Sequence, residues 1–233
     1  MRHVVFPDHR CRSLAFYLAA EEYVAKNVDG EAFFVWRVQP TVIIGRNQIL
    51  ENEVNIEYCR KAGVQIVRRK SGGGCVYSDM GNLMISYISG RGEVSAVFDR
   101  YMSALAASLC SIGLPAVASE RNDIMVDGRK VSGNAFHQLP DRSIVHGTLL
   151  YSTDMAALAE AIRPPVEKLH RHGVESVRQR VVNLAEYKDV SPVLASAESL
   201  ENHLVSWFTD GEITLTPDQM AAIEEIEKEY QIY

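Results

Sequence analysis

Three consecutive glycines follow basic residues in segment 68–82, which reads Arg-Arg-Lys-Ser-Gly-Gly-Gly-Cys-Val-Tyr-Ser-Asp-Met-Gly-Asn. Glycine permits positive φ and leaves backbone N–H groups open to a ligand, so residues 72–74 can form a concavity that binds an anion. The two arginines add cationic donors beside it. Branched and alternating residues at 64–67 and 83–89 predict that the glycines join two strands. The alternative is an ordinary glycine-rich hairpin connection with arginines on the surface.

A lysine among small residues is the second candidate. In segment 127–135, Asp-Gly-Arg-Lys-Val-Ser-Gly-Asn-Ala, the Asp127-Gly128 pair predicts a tight hairpin turn, and Lys130 follows at the beginning of a strand. From there its ammonium can place a positive charge on a phosphate or on a carboxylate oxygen, as phosphoryl and nucleotidyl transfer require. A solvent-exposed hairpin lysine is the alternative.

Oxygen and nitrogen donors also stand at the ends of predicted strands. Asn122 and Asp123 offer the hard oxygen ligands that suit Mg²⁺ carried in with a nucleotide, although such a pair also forms turns. His146, at the head of another strand, can lend an imidazole to a pocket or serve as a structural histidine. Segment 170–172, His-Arg-His, lacks a third metal ligand nearby and is predicted to be a solvated helix end or loop.

Four cysteines are scattered singly, without a Cys-x-x-Cys pair or a metal-like spacing to a histidine, which is typical of reduced thiols. Cys75 directly follows the glycines, and the neighbouring arginines would stabilise its thiolate if it were a nucleophile. No general base stands beside it in the sequence. We therefore predict that Cys75 fills space in the ligand site.

The composition is that of an ordinary globular protein. Of the 233 residues, 47% are hydrophobic and 23% are charged, and no apolar segment approaches the length of a membrane span. A formal charge of −6 gives no general attraction to nucleic acid, so the basic residues near the glycines indicate a small anionic ligand. Because no signal peptide, linker or repeat is visible, we expect one cytoplasmic domain without nucleic-acid or membrane partners.

Helical and strand patterns alternate along the chain, which indicates an α/β fold. The helix predicted at 14–24 carries Glu21 and Glu22 side by side, so we expect at most one of them to face the core. Segment 153–162 is predicted to be a helix, and the remainder is predicted to be mainly helical. The other predicted helices are 55–61 with Asn55 as its cap, 94–112 ended by Gly113, and 217–229 with Thr216 and Gln219 as a capping box. The other predicted strands are 33–38, 41–44, 123–126, 129–138 and 144–151.

In their order along the chain, these segments resemble the lipoate-protein ligase A family. That family shows an Arg-Arg-x-Ser-Gly-Gly-Gly-Ala-Val-aromatic-His-Asp-x-Gly-Asn loop, an Arg-Asn-Asp strand start, a Gly-x-Lys turn and a His-Gly-Thr-Leu-Leu strand. The matches here are 68–82, 121–123, 128–135 and 146–150, with further likeness at 18–22, Trp36, 41–46 and 176–184. The resemblance covers roughly residues 14–184 in order, which is far more specific than any single motif.

The resemblance implies a mixed β-sheet flanked by helices, the catalytic-domain fold that biotin and lipoate protein ligases share. It also implies an ATP- and Mg²⁺-dependent enzyme that joins lipoate to ATP as lipoyl-AMP and then transfers the lipoyl group to a lysine. The implied acceptors are the lipoyl domains of 2-oxoacid dehydrogenase E2 subunits and the glycine cleavage H protein.

Carried over position by position, the resemblance also implies a set of site residues. Lys130 is the implied catalytic residue, and Asn122 and Asp123 would hold the metal. The lipoyl-adenylate would be surrounded by Arg69, Ser71, Gly73, Gly74, Lys130 and His146. The residues implied near the acyl tail are Leu18, Glu21 and Trp36. Those implied near adenine are Tyr77 and Asn82. The implied substrate-binding set also includes Cys75, Ser78 and Ser132.

Two positions depart from the family pattern, because Cys75 stands where alanine is usual and Ser78 where the motif has histidine. Serine keeps a hydrogen bond but lacks the ring, so the shape of the acyl pocket and the preference between lipoate and octanoate stay open. Many relatives also carry a small C-terminal accessory domain, which we expect to be absent here. Either a separate polypeptide supplies it or the enzyme works without it.

Other functions are compatible with this fold. An octanoyl- or lipoyl-transferase needs no ATP and holds the acyl group as a cysteine thioester, but in some such relatives the cysteine stands where this chain has Asn122-Asp123. A non-catalytic lipoate-binding protein would not require Lys130 and the metal pair. Biotin ligases share the fold, but their Gly-Arg-Gly-rich basic loop is absent here. The ligase is therefore the preferred prediction.

Overall fold

A computed structural model describes residues 1–8, 10–120, 122–162 and 180–233. The predictions for Arg121, for the His-Arg-His segment 170–172 and for part of the late motif, 176–179, lie outside these residues. Among the helices that are described, none is long and apolar enough to cross a membrane.

Helices and runs of strands are interspersed along the described residues, as the sequence predicts. The α-helices are α1 (Leu14–Asn27), α2 (Leu50–Glu53), α3 (Ile56–Ala62), α4 (Val94–Ser111), α5 (Met155–Ala161), α6 (Ala197–Phe208) and α7 (Pro217–Glu227), with 3-10 helices at Leu184–Tyr187 and Pro192–Ala195. The strands are β1 (Arg2–Val5), β2 (Ala32–Trp36), β3 (Thr41–Ile44), β4 (Gln65–Arg68), β5 (Val76–Ser78), β6 (Asn82–Gly90), β7 (Ala116–Ala118), β8 (Asp123–Val126), β9 (Arg129–Gln138), β10 (Arg142–Leu150) and β11 (Gly211–Thr214).

The strands form a large and a small sheet. The large sheet has eight strands in the order β11-β1-β2-β6-β10-β9-β8-β7, in which β1 is parallel to β2 and β11 and the other pairs are antiparallel. The small sheet holds β3 between the parallel β4 and the antiparallel β5. Helices cover both faces of the large sheet. The predicted mixed sheet flanked by helices is confirmed.

Strand β6 shows why both faces of the large sheet are buried. Leu83, Ile85 and Tyr87 belong to a core cluster that includes α4 and α6, whereas Met84 and Ile88 belong to a second cluster with α1 and α7. Successive side chains of a strand point to opposite faces, so a strand that is covered on both faces is apolar along its length. A third cluster packs the small sheet against α3 and α5.

Local signals place several element ends where the sequence predicts them. Asn55 accepts a hydrogen bond from the first turn of α3, and Thr216 and Gln219 form a capping box at the start of α7. Asp127 and Gly128 have φ angles of 49° and 74°, as a type I′ hairpin turn between β8 and β9 requires. These predictions are confirmed.

The prediction that at most one of Glu21 and Glu22 faces the core is wrong. Both are buried, with 3% and 5% of their surface exposed. Helix α1 is covered on two sides, because the large sheet brings His146 to Glu21 while Lys70 and Tyr230 reach Glu22. Each glutamate therefore has a partner, which a buried carboxylate needs.

The glycines do not connect the strands predicted at 64–67 and 83–89 directly. The glycine loop, residues 69–75, joins β4 to β5 in the small sheet, and only then does β6 enter the large sheet. Strand β11 also interrupts a region that the sequence predicts to be mainly helical. β5 and β11 lack the run of branched apolar residues that marks the equally short β3 and β4. The helix predicted from residue 153 begins at Met155, because the Asp154 side chain caps it.

Candidate functional site

A cavity of about 380 Å³ lies where the glycine loop faces the strands of the large sheet. The sequence-predicted residues that line it are Leu18, Arg69, Gly73, Gly74, Cys75, Asn122, Asp123, Lys130 and His146. The lining residues that sequence reasoning missed are Ile43, Val76, Met84, Gly133, Asn134, Ala135, Gly147 and Thr148. Strand alternation could have found one of these, since Thr148 lies two residues after His146 and residues i and i+2 share a face.

Arg69 holds the glycine loop from within. Its guanidinium, which is almost fully buried, donates to the carbonyl oxygen of Gly72 at 2.8 and 3.0 Å and to that of Gly74 at 2.7 Å. Burial lowers the pKa of Arg69 to about 10, so the side chain stays charged at neutral pH. No carboxylate pairs with it among the described residues. The loop therefore surrounds a positive charge that favours an anionic ligand.

The basic residues on either side of Arg69 do not line the cavity. Arg68 donates to the carbonyl oxygens of Gly45 at 3.0 Å and Gln48 at 2.8 Å, and Lys70 lies 2.8 Å from Glu22. Their side chains fix the neighbouring backbone. Of the two arginines in the motif, only Arg69 contributes charge to the cavity wall.

Two glycines allow the loop to approach strand β3 closely. A Cβ on Gly45 would lie 2.2 Å from the carbonyl oxygen of Gly73, a distance that no side chain can occupy. Gly73 itself has a φ of 93°, in the region that favours glycine. The loop is further tied to the small sheet by a hydrogen bond from the Arg46 N–H to the Ser71 carbonyl oxygen at 2.9 Å.

Lys130 and Asp123 form an ion pair at the cavity. Lys130 Nζ lies 2.8 Å from Asp123 Oδ1, and the two side chains are 37% and 23% exposed. A bulge between Ile124 and Met125 shifts the register of β8 against β9, and such bulges re-aim side chains. The ammonium passes over Gly133, where a Cβ would lie 2.7 Å from Nζ. The cavity wall thus contains a lysine that is oriented by Asp123 and partly open to solvent.

Asn122 precedes β8 in the left-handed conformation with a φ of 65°, which asparagine adopts more readily than most residues other than glycine. Its carbonyl oxygen accepts hydrogen bonds from the backbone and the side chain of Asn134 at 3.1 and 3.0 Å. Asn134 in turn accepts one from the Tyr101 hydroxyl at 3.1 Å. These contacts fix Asn122 and the adjacent Asp123 at the cavity.

The oxygen donors of Asn122 and Asp123 suit a metal that arrives with its substrate. In the part of the chain that the structure describes, no group of three or more His, Cys, Asp or Glu side chains could hold a metal ion. Mg²⁺ keeps several water ligands and is usually held by one or two carboxylates plus substrate phosphates. The residues present therefore fit nucleotide-bound Mg²⁺ and do not form a closed metal centre.

A chain of buried hydrogen bonds runs from the glycine loop into the core. Ser71 Oγ lies 2.7 Å from His146 Nε2, and His146 Nδ1 lies 2.8 Å from Glu21 Oε2. Ser86 donates to Glu21 at 2.6 Å, and the Trp36 indole donates to Ser86 at 2.8 Å. Only His146 of these five lines the cavity. The arrangement orients the imidazole and connects it to the loop.

Four other predicted site residues are buried and do not line the cavity, namely Tyr77, Ser78, Asn82 and Ser132. Tyr77 packs in the core of the small sheet, and Asn82 donates to Ser78 Oγ at 3.2 Å. Ser132 donates to Asn134, the residue that anchors Asn122. Contact of Tyr77 and Asn82 with adenine stays a prediction.

Cys75 should resist alkylation in the folded protein. Burial raises the pKa of its thiol to about 12, so only one molecule in about 10⁴ carries the thiolate at pH 8. We expect iodoacetamide to modify the exposed Cys11 and Cys110 first, with Cys75 labelled only after denaturation, as mass spectrometry of digested peptides would show. Labelling of Cys75 as fast as Cys11 in the native protein would contradict this.

Comparison with known proteins relates this site to one family. The family model described as the lipoyl protein ligase A/B catalytic domain matches residues 13–208. The lipoate-protein ligase LplJ of Bacillus subtilis is 35% identical over 219 residues, which are 92% of this chain and 65% of that protein. The chain thus spans slightly less than two thirds of the length of that relative.

Solved structures show the same fold. A bi-partite lipoate protein ligase from Thermoplasma acidophilum, studied with its E2 lipoyl domain, superposes with a TM-score of 0.83 at 26% identity, over 97% of this chain and 91% of that one. A lipoate-protein ligase A bound with ATP gives a TM-score of 0.83 at 25% identity, over 97% and 94% of the two chains. Because the family model covers the glycine loop, the Lys130 turn and the His146 strand in one continuous match, this chain belongs to the lipoyl protein ligase A/B catalytic domain family.

Proposed function

We propose that this chain is an ATP-dependent lipoate-protein ligase, which converts lipoate to lipoyl-AMP and transfers the lipoyl group to a lysine. The observation that carries this proposal is that the cavity has an apolar end and a charged end. Leu18 and Met84 lie on the side of α1 and β6, whereas Asp123 and Lys130 lie on β8 and β9. Strands β6 and β8 are three positions apart in the sheet, or about 14 Å at the usual spacing. An elongated acyl chain with a charged end fits this separation.

In the first step, a carboxylate oxygen of lipoate attacks the α-phosphorus of ATP, and pyrophosphate leaves. Two anions must meet, so the site has to reduce their repulsion. Lys130 supplies a point charge at the reacting end, and the buried Arg69 adds a second charge through the loop. Mg²⁺ on Asn122 and Asp123 would neutralise charge on the nucleotide phosphates. The relatives that bind ATP or act on lipoate support both substrates.

In the second step, the amine of an acceptor lysine attacks the acyl carbon of the mixed anhydride, and AMP leaves. The anhydride must be kept from water until the acceptor arrives. Gly73 and Gly74 of the glycine loop form part of the cavity wall and would shield the anhydride on that side. Since a Thermoplasma relative was studied with its E2 lipoyl domain, we propose lipoyl domains of 2-oxoacid dehydrogenase E2 subunits and the glycine cleavage H protein as acceptors.

A separate polypeptide is a further proposed partner. The Bacillus relative is longer than this chain, and the Thermoplasma ligase is bi-partite. We propose that such a second polypeptide would assist this catalytic domain in adenylation.

The thioester mechanism of a transferase receives no support from the cavity. Cys75 is the cysteine that lines it among the described residues, and burial raises its thiol pKa to about 12. His146, the histidine of the cavity wall, is already bonded to Ser71 and Glu21. An activated nucleophile needs a lowered pKa or an adjacent base, and Cys75 has neither of these.

Lipoate-dependent exchange of labelled pyrophosphate into ATP tests the proposal, with purified chain, Mg²⁺ and no acceptor. We expect exchange that requires lipoate, because adenylation is reversible. Absence of exchange with transfer from supplied lipoyl-AMP would indicate that a partner chain is needed for adenylation. Transfer only from an acylated protein, abolished by Cys75→Ser, would replace the ligase by the thioester transferase.

A further inference from the structure

The adjacent glutamates of α1 are connected to two adjacent residues of the glycine loop. Glu21 reaches Ser71 through His146, with contacts of 2.8 and 2.7 Å. Glu22 binds Lys70 directly, with Nζ and Oε1 2.8 Å apart. Two separate networks therefore fix the backbone immediately before Gly72.

The Glu22 network also includes the segment after α7. The Tyr230 hydroxyl donates a short hydrogen bond to Glu22, and Lys70 Nζ lies 4.7 Å from the centre of the Tyr230 ring. Burial raises the pKa of Tyr230, so its hydroxyl remains a donor. Glu229 contacts Lys70 from the solvent side at 2.9 Å. We call Glu22, Lys70 and Tyr230 the outer clamp.

The same segment binds the open edge of β4. The Arg68 N–H donates to the Gln231 carbonyl oxygen at 3.0 Å, and the Tyr233 N–H donates to the Ile66 carbonyl oxygen at 3.0 Å. Strand β4 leads directly into the glycine loop. The backbone on the β4 side of the loop is therefore held by residues more than 150 positions later in the sequence.

The charge of Glu22 is balanced inside the outer clamp. Burial by itself would raise the pKa of Glu22, but hydrogen bonds from Lys70 and Tyr230 outweigh it and lower that pKa. Glu22 is buried and the Lys70 side chain is 34% exposed, so the carboxylate keeps its charge through contacts that fix its geometry. In some proteins a buried charged group selects one arrangement of the chain.

We propose that the outer clamp positions the glycine loop for its anionic ligand, although none of its three residues lines the cavity. Lys70 directly precedes residues 71–74, so the clamp positions the loop through the backbone of those residues. The identity of the ligand, a lipoyl-adenylate, rests on the proposed function.

Tyr230→Phe and Glu22→Gln are the test variants. The first keeps the ring beside Lys70 and removes one hydroxyl, and the second keeps the shape of the side chain and removes its charge. For each we expect affinity for a non-hydrolysable lipoyl-adenylate analogue to fall about tenfold, because binding must then order a loop that the clamp no longer holds. Calorimetric titration measures this. We also expect faster hydrogen exchange at the backbone amides of residues 72–74 in the free protein.

Glu229→Gln is the matched control. It removes a carboxylate from the same lysine, but Glu229 is 62% exposed, and such exposed pairs have little effect. We expect analogue affinity within about twofold of the unmodified protein. Amide exchange in α6, which packs on the face of the large sheet opposite α1 and α7, should stay unchanged in all three variants.

Hydrogen exchange at the backbone amides of residues 72–74, called loop exchange below, tests the clamp independently of the ligase activity. If the unmodified protein lacks pyrophosphate exchange and does not bind the analogue, the ligase assignment fails, while faster loop exchange in the two variants would still support the clamp. If both variants only lower the melting temperature, with loop exchange and affinity unchanged, the outer clamp is merely structural and the inference is overturned. Equal effects in Glu229→Gln would also overturn it.

Discussion

Lys130→Ala is expected to lower the rate of lipoate-dependent pyrophosphate exchange by a factor of about 10² to 10³, while the fold survives. The loss follows because the variant lacks the point charge that stabilises the transition state where carboxylate and phosphate meet. The cost in stability should be below about 1 kcal/mol, since Lys130 is 37% exposed and its one ion pair is open to solvent. Exchange kinetics and chemical denaturation measure the two quantities.

Lys61→Ala provides the control for Lys130→Ala. Lys61 is 77% exposed, forms an ion pair with Glu57 at 3.0 Å and does not line the cavity. Its removal should leave pyrophosphate exchange unchanged. Near-normal exchange in Lys130→Ala would refute the catalytic assignment, and a large loss of stability would show that the residue has a structural role instead.

Gly45→Ala is expected to displace the glycine loop. The new Cβ would lie 2.2 Å from the Gly73 carbonyl oxygen. That oxygen belongs to the backbone, so no flexible side chain can move aside to relieve the clash. Overpacking of this kind costs about 1–3 kcal/mol. We expect the free energy of unfolding to fall by that amount and affinity for the adenylate analogue to fall about ten- to hundredfold. Denaturant titration and calorimetry measure these changes.

Gly72→Ala is the matched control for Gly45→Ala, in the same loop. A Cβ on Gly72 meets no atom within 4 Å, and the residue lacks the positive φ of Gly73. We expect both stability and affinity to stay close to those of the unmodified protein. If Gly45→Ala binds the analogue as well as Gly72→Ala does, close packing of the loop against β3 is not required for the site.

The sequence predicted elements best where chemistry between near neighbours decides the structure. The Asp127-Gly128 turn follows from residues that tolerate positive φ, and the Thr216 cap follows from a hydroxyl three residues before Gln219. The motifs also singled out nine residues that line the cavity. The short strands β5 and β11 escaped detection, because they lack the branched apolar run that marks β3 and β4 and are defined by their partners in the sheets.

In the candidate site, too, the sequence predicted residue types but not the contacts between them. Residue types alone pointed to Arg69, Lys130 and Asp123 as charges for an anionic ligand and its metal. They could not show that Arg69 binds the loop carbonyls while Lys130 binds Asp123. The side-chain rotamers that make these contacts depend on how the two sheets meet, which no local pattern encodes.

By itself, the sequence determined the α/β class, the family resemblance and the residues that carry charge, because glycine freedom, capping and strand alternation act over a few neighbouring positions. Only the tertiary structure decided that Glu21 and Glu22 are both buried and that they reach the loop by separate routes. Those contacts join positions 48 to 208 residues apart, so they exist only after the sheets and the C-terminal segment have packed around α1.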